Sequence, residues 1–227
     1  LQSDGSPAFA GVTRALGKKL KGSVPVLSLT EHGATDAEMV QQLRRYHERI
    51  VVAVGLNAAL VARKLSGTKV IFCQVFNYED FDLLTPWMKG VSAIPPIKQQ
   101  FQVWKKVDPS LKRVGVITGP RLSHLIEEAR SAASANGNEI KHAQVGSDLE
   151  TLYAFKQLNP KIQALWLLPD NRVLSRNTIR DILSYSRKQG KQVVVFSEQL
   201  LSLGGMMSFD SVYGDIADQV LARRKQA

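Results

Sequence analysis

Short, unbroken apolar runs alternate along the chain with longer segments whose apolar residues recur three and four positions apart. Residues 24–29, 50–54, 69–74, 113–118, 139–145, 164–168 and 192–196 read as strands. Run 50–54 has no polar interruption, as a parallel strand covered on both faces requires. Between the runs, Phe9, Val12, Leu16 and Leu20 fall at helical spacing, and Thr35 followed by Glu38 is a capping-box start for a helix reaching about residue 49. The repeating unit is strand, short loop, helix. Right-handed crossovers then place every loop that follows a strand at one edge of a parallel sheet.

The alternation breaks once. Residues 91–93 form a short extended piece, and Ile94-Pro95-Pro96 disfavours helix before each proline while offering Pro96 as a helix start. Ile97, Phe101, Trp104 and Val107 then mark an amphipathic helix before a second alternating series begins. A late strand at 206–209, after Gly204-Gly205, and a last helix carrying Ile216, Val220 and Leu221 suggest a return to the first series. The expected fold is α/β, with two doubly wound parallel-sheet lobes joined by a hinge: residues 1–93 plus 199–227, and residues 94–198. Residues 1–3 resemble the stub of a longer strand, so both ends are expected to be trimmed.

Composition leaves this picture in place. The 227 residues are 44% hydrophobic and 22% charged, which suits a globular chain with a sizeable core. No apolar run approaches the roughly 18–20 residues of a membrane span. The formal charge of +10 is spread over Lys18-Lys19, Arg44-Arg45, Lys105-Lys106 and Arg223-Arg224-Lys225, each on an expected helix surface. Such a surface attracts anions or lipid headgroups without specifying them, and no nucleic-acid module is present, so no nucleic-acid partner is expected. Cys73 is the single cysteine and sits in a strand pattern, which excludes a disulfide within the chain. His32, His47, His124 and His142 have no metal-ligand spacing, and the bland reading puts His47 and His142 at the surface. No strand-to-helix turn carries G-x-G-x-x-G, a P-loop or G-x-S-x-G, so neither a metal nor a cofactor is expected.

The chemistry concentrates at residues 165–175. Four apolar residues stop at Pro169-Asp170-Asn171, and helical spacing resumes at Val173. Asp170 and Asn171 therefore lie at the carboxyl end of a strand, where open parallel sheets bind ligands, although the same residue types also serve as ordinary helix caps. An enzyme reading would pair Asp170 with Glu198. No His, Lys or Cys has a readable place beside them, and acid–base work usually needs one.

Several runs together resemble a known family: Gly90-Val-Ser92 with Pro96-Ile-Lys-Gln-Gln100, Lys112-Arg-Val-Gly-Val116, Pro169-Asp-Asn171 with Val173 and Ser175, and the late Phe209-Asp210. In this order they look like ABC-transporter substrate-binding proteins of the tryptophan/tyrosine-binding type, with a type I periplasmic-binding-protein fold. The resemblance implies a two-lobed periplasmic or extracytoplasmic receptor, membrane-anchored in some cases. It would close by a hinge motion on a small ligand lying between its lobes and present that ligand to an ABC permease. By position, the family's ligand-facing residues fall on Asp4, Ser6, Asn57, Phe76, Asn77, Thr118, Asp170, Asn171, Glu198 and Asp210.

The chain departs from the family at Leu56 and Phe76, where the family commonly has Thr, and at Ala93, where it has Asp. Partners for the charged ends of an amino acid are thus missing from the first lobe. An unmatched polar site is costly, so the expected ligand lays an apolar or aromatic portion against Leu56 and Phe76 and turns its polar groups towards Asp170, Asn171 and Glu198. A ligand-sensing domain of a signalling protein is the alternative.

Overall fold

The computed structural model describes residues 1–20, 24–30, 35–47 and 49–225, so His32 lies outside the described residues. In chain order the regular elements are α1 (Pro7–Lys19), α2 (Asp36–Arg45), β1 (Ile50–Val54), α3 (Leu56–Ala62), β2 (Lys69–Cys73), β3 (Met88–Gly90), α4 (Ile97–Val107), β4 (Arg113–Thr118), α5 (Ser123–Ser134), β5 (Glu139–Gln144), α6 (Asp148–Leu158), β6 (Ala164–Trp166), α7 (Arg176–Lys188), β7 (Gln192–Val195), β8 (Met207–Ser208) and α8 (Tyr213–Lys225). They divide into two compact units, Leu1–Ala93 with Ser211–Ala227, and Ile94–Asp210.

In the first unit β1, β2 and β3 run parallel, Ile50 opposite Lys69 and Val70 opposite Met88. Gln2 extends the sheet beyond β1 through single parallel bridges to Val54 and to Ser28. The expected strands at 1–3 and 24–29 thus shrink to one bridging residue each, Gln2 and Ser28. Pro25 has no N–H to give a ladder, and Val24 and Val26 are 48% and 52% exposed, so this edge lacks the two-sided cover that an apolar strand needs. Strand β3 falls at 88–90 rather than 91–93. A Cβ on Gly90 would stand 2.6 Å from the Phe72 ring, so glycine lets the two strands meet there.

Helix α2 carries the expected capping box: the Glu38 N–H donates to Thr35 Oγ1 at 3.3 Å, and the Thr35 N–H to Glu38 Oε2 at 2.8 Å. It ends at Arg45 rather than 49, because His47 takes a left-handed φ of 50°. One face of the sheet packs on Met39, Val40 and Leu43 of α2 with Ala58, Ala59 and Ala62 of α3. The other packs on Val12 and Leu16 of α1 with Ile216, Ala217 and Val220 of α8, so the last helix returns to the first unit.

The second unit is a five-stranded parallel sheet in the order β5-β4-β6-β7-β8. Its last strand corrects the expected boundary at 198/199. Val194 and Val195 of β7 face Met207 and Ser208, and the Phe209 N–H donates to Val195 O at 3.0 Å, so residues 199–210 belong to this unit. The chain returns to the first unit only after Asp210. The core is aromatic beside α4: Phe101 stacks on Trp104 at 6.0 Å and meets Trp166 edge-on at 5.7 Å. Each buried indole N–H has a partner, Trp104 Nε1 donating to Gln192 Oε1 and Trp166 Nε1 to Gln100 Oε1, both at 3.1 Å.

Counting the bridges at Gln2 and Ser28, both sheets run second, first, third, fourth, fifth. Strand order reverses between the first and third positions, and the loops leaving those two strands flank the crevice where doubly wound sheets take ligands.

Candidate functional site

In the second unit this crevice lies beyond the ends of β4 and β6. The apolar run through Leu168 stops at Pro169, and the chain turns so that Asp170 points inward with no exposed surface. Its Oδ1 accepts from Arg172 Nε at 2.7 Å and from the Arg172 backbone N–H at 3.3 Å. Its Oδ2 accepts from Arg172 Nη2 at 2.7 Å and from the Gly119 N–H at 2.8 Å. Arg172 Nη1 donates onward to Pro120 O at 2.9 Å, which ties the β4 and β6 loops together. A carboxylate offers about four acceptor positions, and all of them are filled here. In this conformation Asp170, expected from the sequence to face a ligand, holds a guanidinium. Any side chain at 119 would meet that pair, since a Cβ there stands 3.0 Å from both Arg172 and Asp170 Oδ2.

Asn171 is exposed beside the ion pair. Thr118, 1% exposed, has its Oγ1 2.9 Å from His142 Nε2. His142 is half-buried rather than at the surface, and desolvation followed by the nearby charge of Arg130 lowers its pKa below the ordinary value. Glu198 and Asp210 are both exposed, and Asp210 Oδ2 accepts the Glu198 N–H at 2.9 Å, fixing the start of the short 3-10 turn Glu198–Leu200.

In the first unit the corresponding crevice lies beyond Ser3 and β1. Asp4 Oδ1 accepts the Ser6 N–H at 2.8 Å, a local turn that leads into α1. Buried Ser3 reaches across to accept the Ala58 N–H at 2.9 Å and so caps α3, because Gly55 at its N-cap has no side chain to do so. Asn57 is exposed in the first turn of α3, beside half-buried Leu56. After β2 come half-buried Phe76 and Asn77, whose Nδ2 donates to Asp80 Oδ2 at 3.2 Å. Cys73 is buried at the end of β2, and burial pushes its thiol up to about 12.

The structure therefore sets Asp4, Ser6 and Asn57 on the loops of one crevice, with Phe76 and Asn77 on the next loop along that edge. In the other unit Thr118, Asp170 and Asn171 flank the crevice, with Glu198 and Asp210 beyond it. Three residues escaped the sequence reading. Arg172 sits two positions after Asp170, Gln74 follows β2 at a φ of 58°, and Arg121 follows β4 at a φ of 62°. A left-handed backbone at a residue other than glycine stores of order 1–3 kcal/mol and concentrates at functional loops. Only Arg172 had a signal in the sequence, its closeness to a carboxylate. Among the described residues, no group of three or more His, Cys, Asp or Glu side chains is placed to hold a metal ion.

The family model for ABC transporter substrate binding proteins matches residues 29–219. The chain belongs to that family. Its members take small-molecule ligands and work with a permease outside the cytoplasm; they are binding proteins and not a class of enzymes. No curated protein sequence matches the chain significantly. Among solved structures it is similar to an ABC domain from Streptococcus pneumonia in complex with L-Trp, at 18% identity and a TM-score of 0.66 over 100% of this chain and 83% of that one. It is also similar to the ligand-free, open form of a substrate binding protein with adhesive properties from Clostridium difficile, at 14% identity and a TM-score of 0.70 over 99% and 83%. An amino acid ABC transporter substrate-binding protein from Pseudomonas fluorescens Pf-5 matches at 14% identity and a TM-score of 0.58 over 91% and 64%. These likenesses identify a periplasmic-binding-protein fold. No helix among the described residues is long and apolar enough to cross a membrane.

Proposed function

We propose that the chain captures an aromatic or amino-acid-like small molecule on the carboxyl-edge loops of its units and delivers it to an ABC permease from the periplasmic side. The observation that carries this reading is the family match over residues 29–219, supported by the doubly wound strand order in both sheets. A relative of this fold is in complex with L-Trp, which suits half-buried Phe76 and Leu56 as the surface for an aromatic portion. Asp170 is already matched by Arg172, so the ligand's polar groups fall to exposed Asn171, Asn57 and Glu198.

Titration calorimetry with tryptophan, tyrosine, phenylalanine and aromatic carboxylates tests this. Stacking on Phe76 is worth roughly 0.5–1.5 kcal/mol beyond area burial, so Phe76→Ala is expected to weaken an aromatic ligand at least about twofold. Asn171→Ala is expected to remove one hydrogen bond, about 1 kcal/mol. Binding of an aromatic ligand that neither change weakens would sink the assignment of these loops.

A further inference from the structure

The family role uses the carboxyl-edge loops, and it leaves the outer face of one helix in the second unit without a task. A surface helix ordinarily turns its apolar stripe to the core and charged or polar residues to water. Helix α7 does so: Ile179, Ile182 and Leu183 are buried, whereas Arg176, Arg180, Asp181 and Arg187 are exposed. Its neighbour α6 does not. The inner side of α6 is held by buried Thr151 and Phe155, with Thr151 Oγ1 donating to Val173 O at 2.7 Å and Asp148 Oδ1 accepting the Ser175 N–H at 2.7 Å. Its outer side nevertheless presents Leu149 and Tyr153, one turn apart and 78% and 68% exposed.

At about 3.6 residues per turn, the exposed residues of α6 form one stripe, with Lys156 and Leu149 on one side, Tyr153 along the middle, and Gln157 and Glu150 on the other. Glu150 and Lys156 therefore flank the apolar pair on opposite sides, about 9 Å apart along the axis. The Glu150 carboxylate is fixed there by the Gly146 N–H, which donates to Oε2 at 2.8 Å and leaves the negative charge uncancelled. A two-fold axis parallel to the helix matches this face to itself. Leu149 and Tyr153 then lie against the same residues of a second copy, and Glu150 of each copy shares a flank with Lys156 of the other. Both charge pairs form together, because an isologous interface repeats every contact.

We propose that α6 is a self-association surface, where two copies of this chain pair with their α6 helices parallel, Leu149 and Tyr153 at the centre and reciprocal Glu150–Lys156 pairs at the rim. Tyrosine suits such a centre because it offers a large, rigid ring at low entropic cost. A helix already fixed by its inner contacts has little freedom left to lose on pairing. One helix face is small for a specific interface, so the pairing is weak and reversible. It does not depend on what the carboxyl-edge loops bind.

Sedimentation equilibrium of the 227-residue chain over a concentration series tests the proposal, and a monomer–dimer equilibrium is expected. Glu150→Lys and Lys156→Glu each make both rim pairs repulsive, so either variant alone is expected to dimerise at least about fourfold more weakly. An equimolar mixture of the two variants again sets opposite charges across the seam and is expected to recover the association as a heterodimer. That recovery separates a rim contact from damage to the fold, which mixing cannot repair. Leu149→Gln/Tyr153→Gln, at two exposed positions, is expected to abolish dimerisation with an unaltered circular dichroism spectrum. A chain that stays monomeric to millimolar concentration overturns the proposal. So does a dimer that either charge variant leaves unweakened, or one that the mixture fails to restore.

Discussion

The two sheets share one strand order and close their crevices by opposite means. In the first unit, a neutral hydroxyl, Ser3, caps the helix that leaves the crevice. In the second, a buried charge pair, Asp170 with Arg172, locks one loop onto its neighbour. The first solution costs less to break, because a lost hydroxyl leaves one neutral N–H without its partner. The second costs more, because a buried charge without its partner keeps its full desolvation penalty. The same topology therefore carries one forgiving and one brittle crevice.

Breaking the brittle one should give the largest effect. Asp170→Ala removes the buried carboxylate that pairs with the Arg172 guanidinium, whose side chain is 19% exposed, and is expected to destabilise the second unit by about 3–5 kcal/mol in urea unfolding. The double change Asp170→Ala/Arg172→Met should recover most of that loss. A double variant as unstable as the single one would mean that the hydrogen bond to Gly119, rather than the charge, holds the loops.

The forgiving crevice supplies the next step down. Ser3→Ala is expected to lower stability by about 0.5–2 kcal/mol, the usual range for a lost helix cap. A loss matching that of Asp170→Ala would erase the contrast between the units.

Acidity sharpens the comparison with a smaller effect. His142 has a folded pKa below its unfolded value, so the unfolded chain binds the extra proton more readily. Its contribution is complete above the ordinary histidine value of about 6.5 and is lost as pH falls from there through the folded pKa. The second unit should weaken over that interval, and His142→Asn should flatten this part of the pH profile. In the first unit, Cys73 should ignore a thiol reagent until the chain unfolds, since burial holds its thiol at about 12. Labelling of the native protein at neutral pH would contradict the packing around β2.

Much of the fold was legible because strands buried on both faces announce themselves as unbroken apolar runs: Ile50–Val54 and Arg113–Thr118 are found where the pattern puts them. Legibility failed at the edges. Run 24–29 is apolar yet pairs only at Ser28, and β3 was hidden because Lys89 and Gly90 do not advertise a strand. The return to the first unit was misplaced because Met207 and Ser208 say nothing about which sheet they join. At the candidate site, position could be read and partnership could not. Asp170 stands at the end of its strand as the pattern indicates, but its bond to Gly119 spans 51 residues, and Thr118 meets His142 across 24. Such pairings come from the parallel register of β4 with β5 and β6, which no local spacing encodes.

The chain's three tryptophans are sorted by environment, and this gives each unit its own optical signature. Trp104 and Trp166 are 1% and 3% exposed inside the second unit, whereas Trp87 is 69% exposed at a tight turn of the first. Emission at short wavelength, shielded from acrylamide, should come from the second unit, and red-shifted, readily quenched emission from the first. With Trp87→Phe, the remaining fluorescence becomes a label-free readout of the second unit alone, and the loss of its aromatic core during unfolding can be timed separately from events elsewhere in the chain.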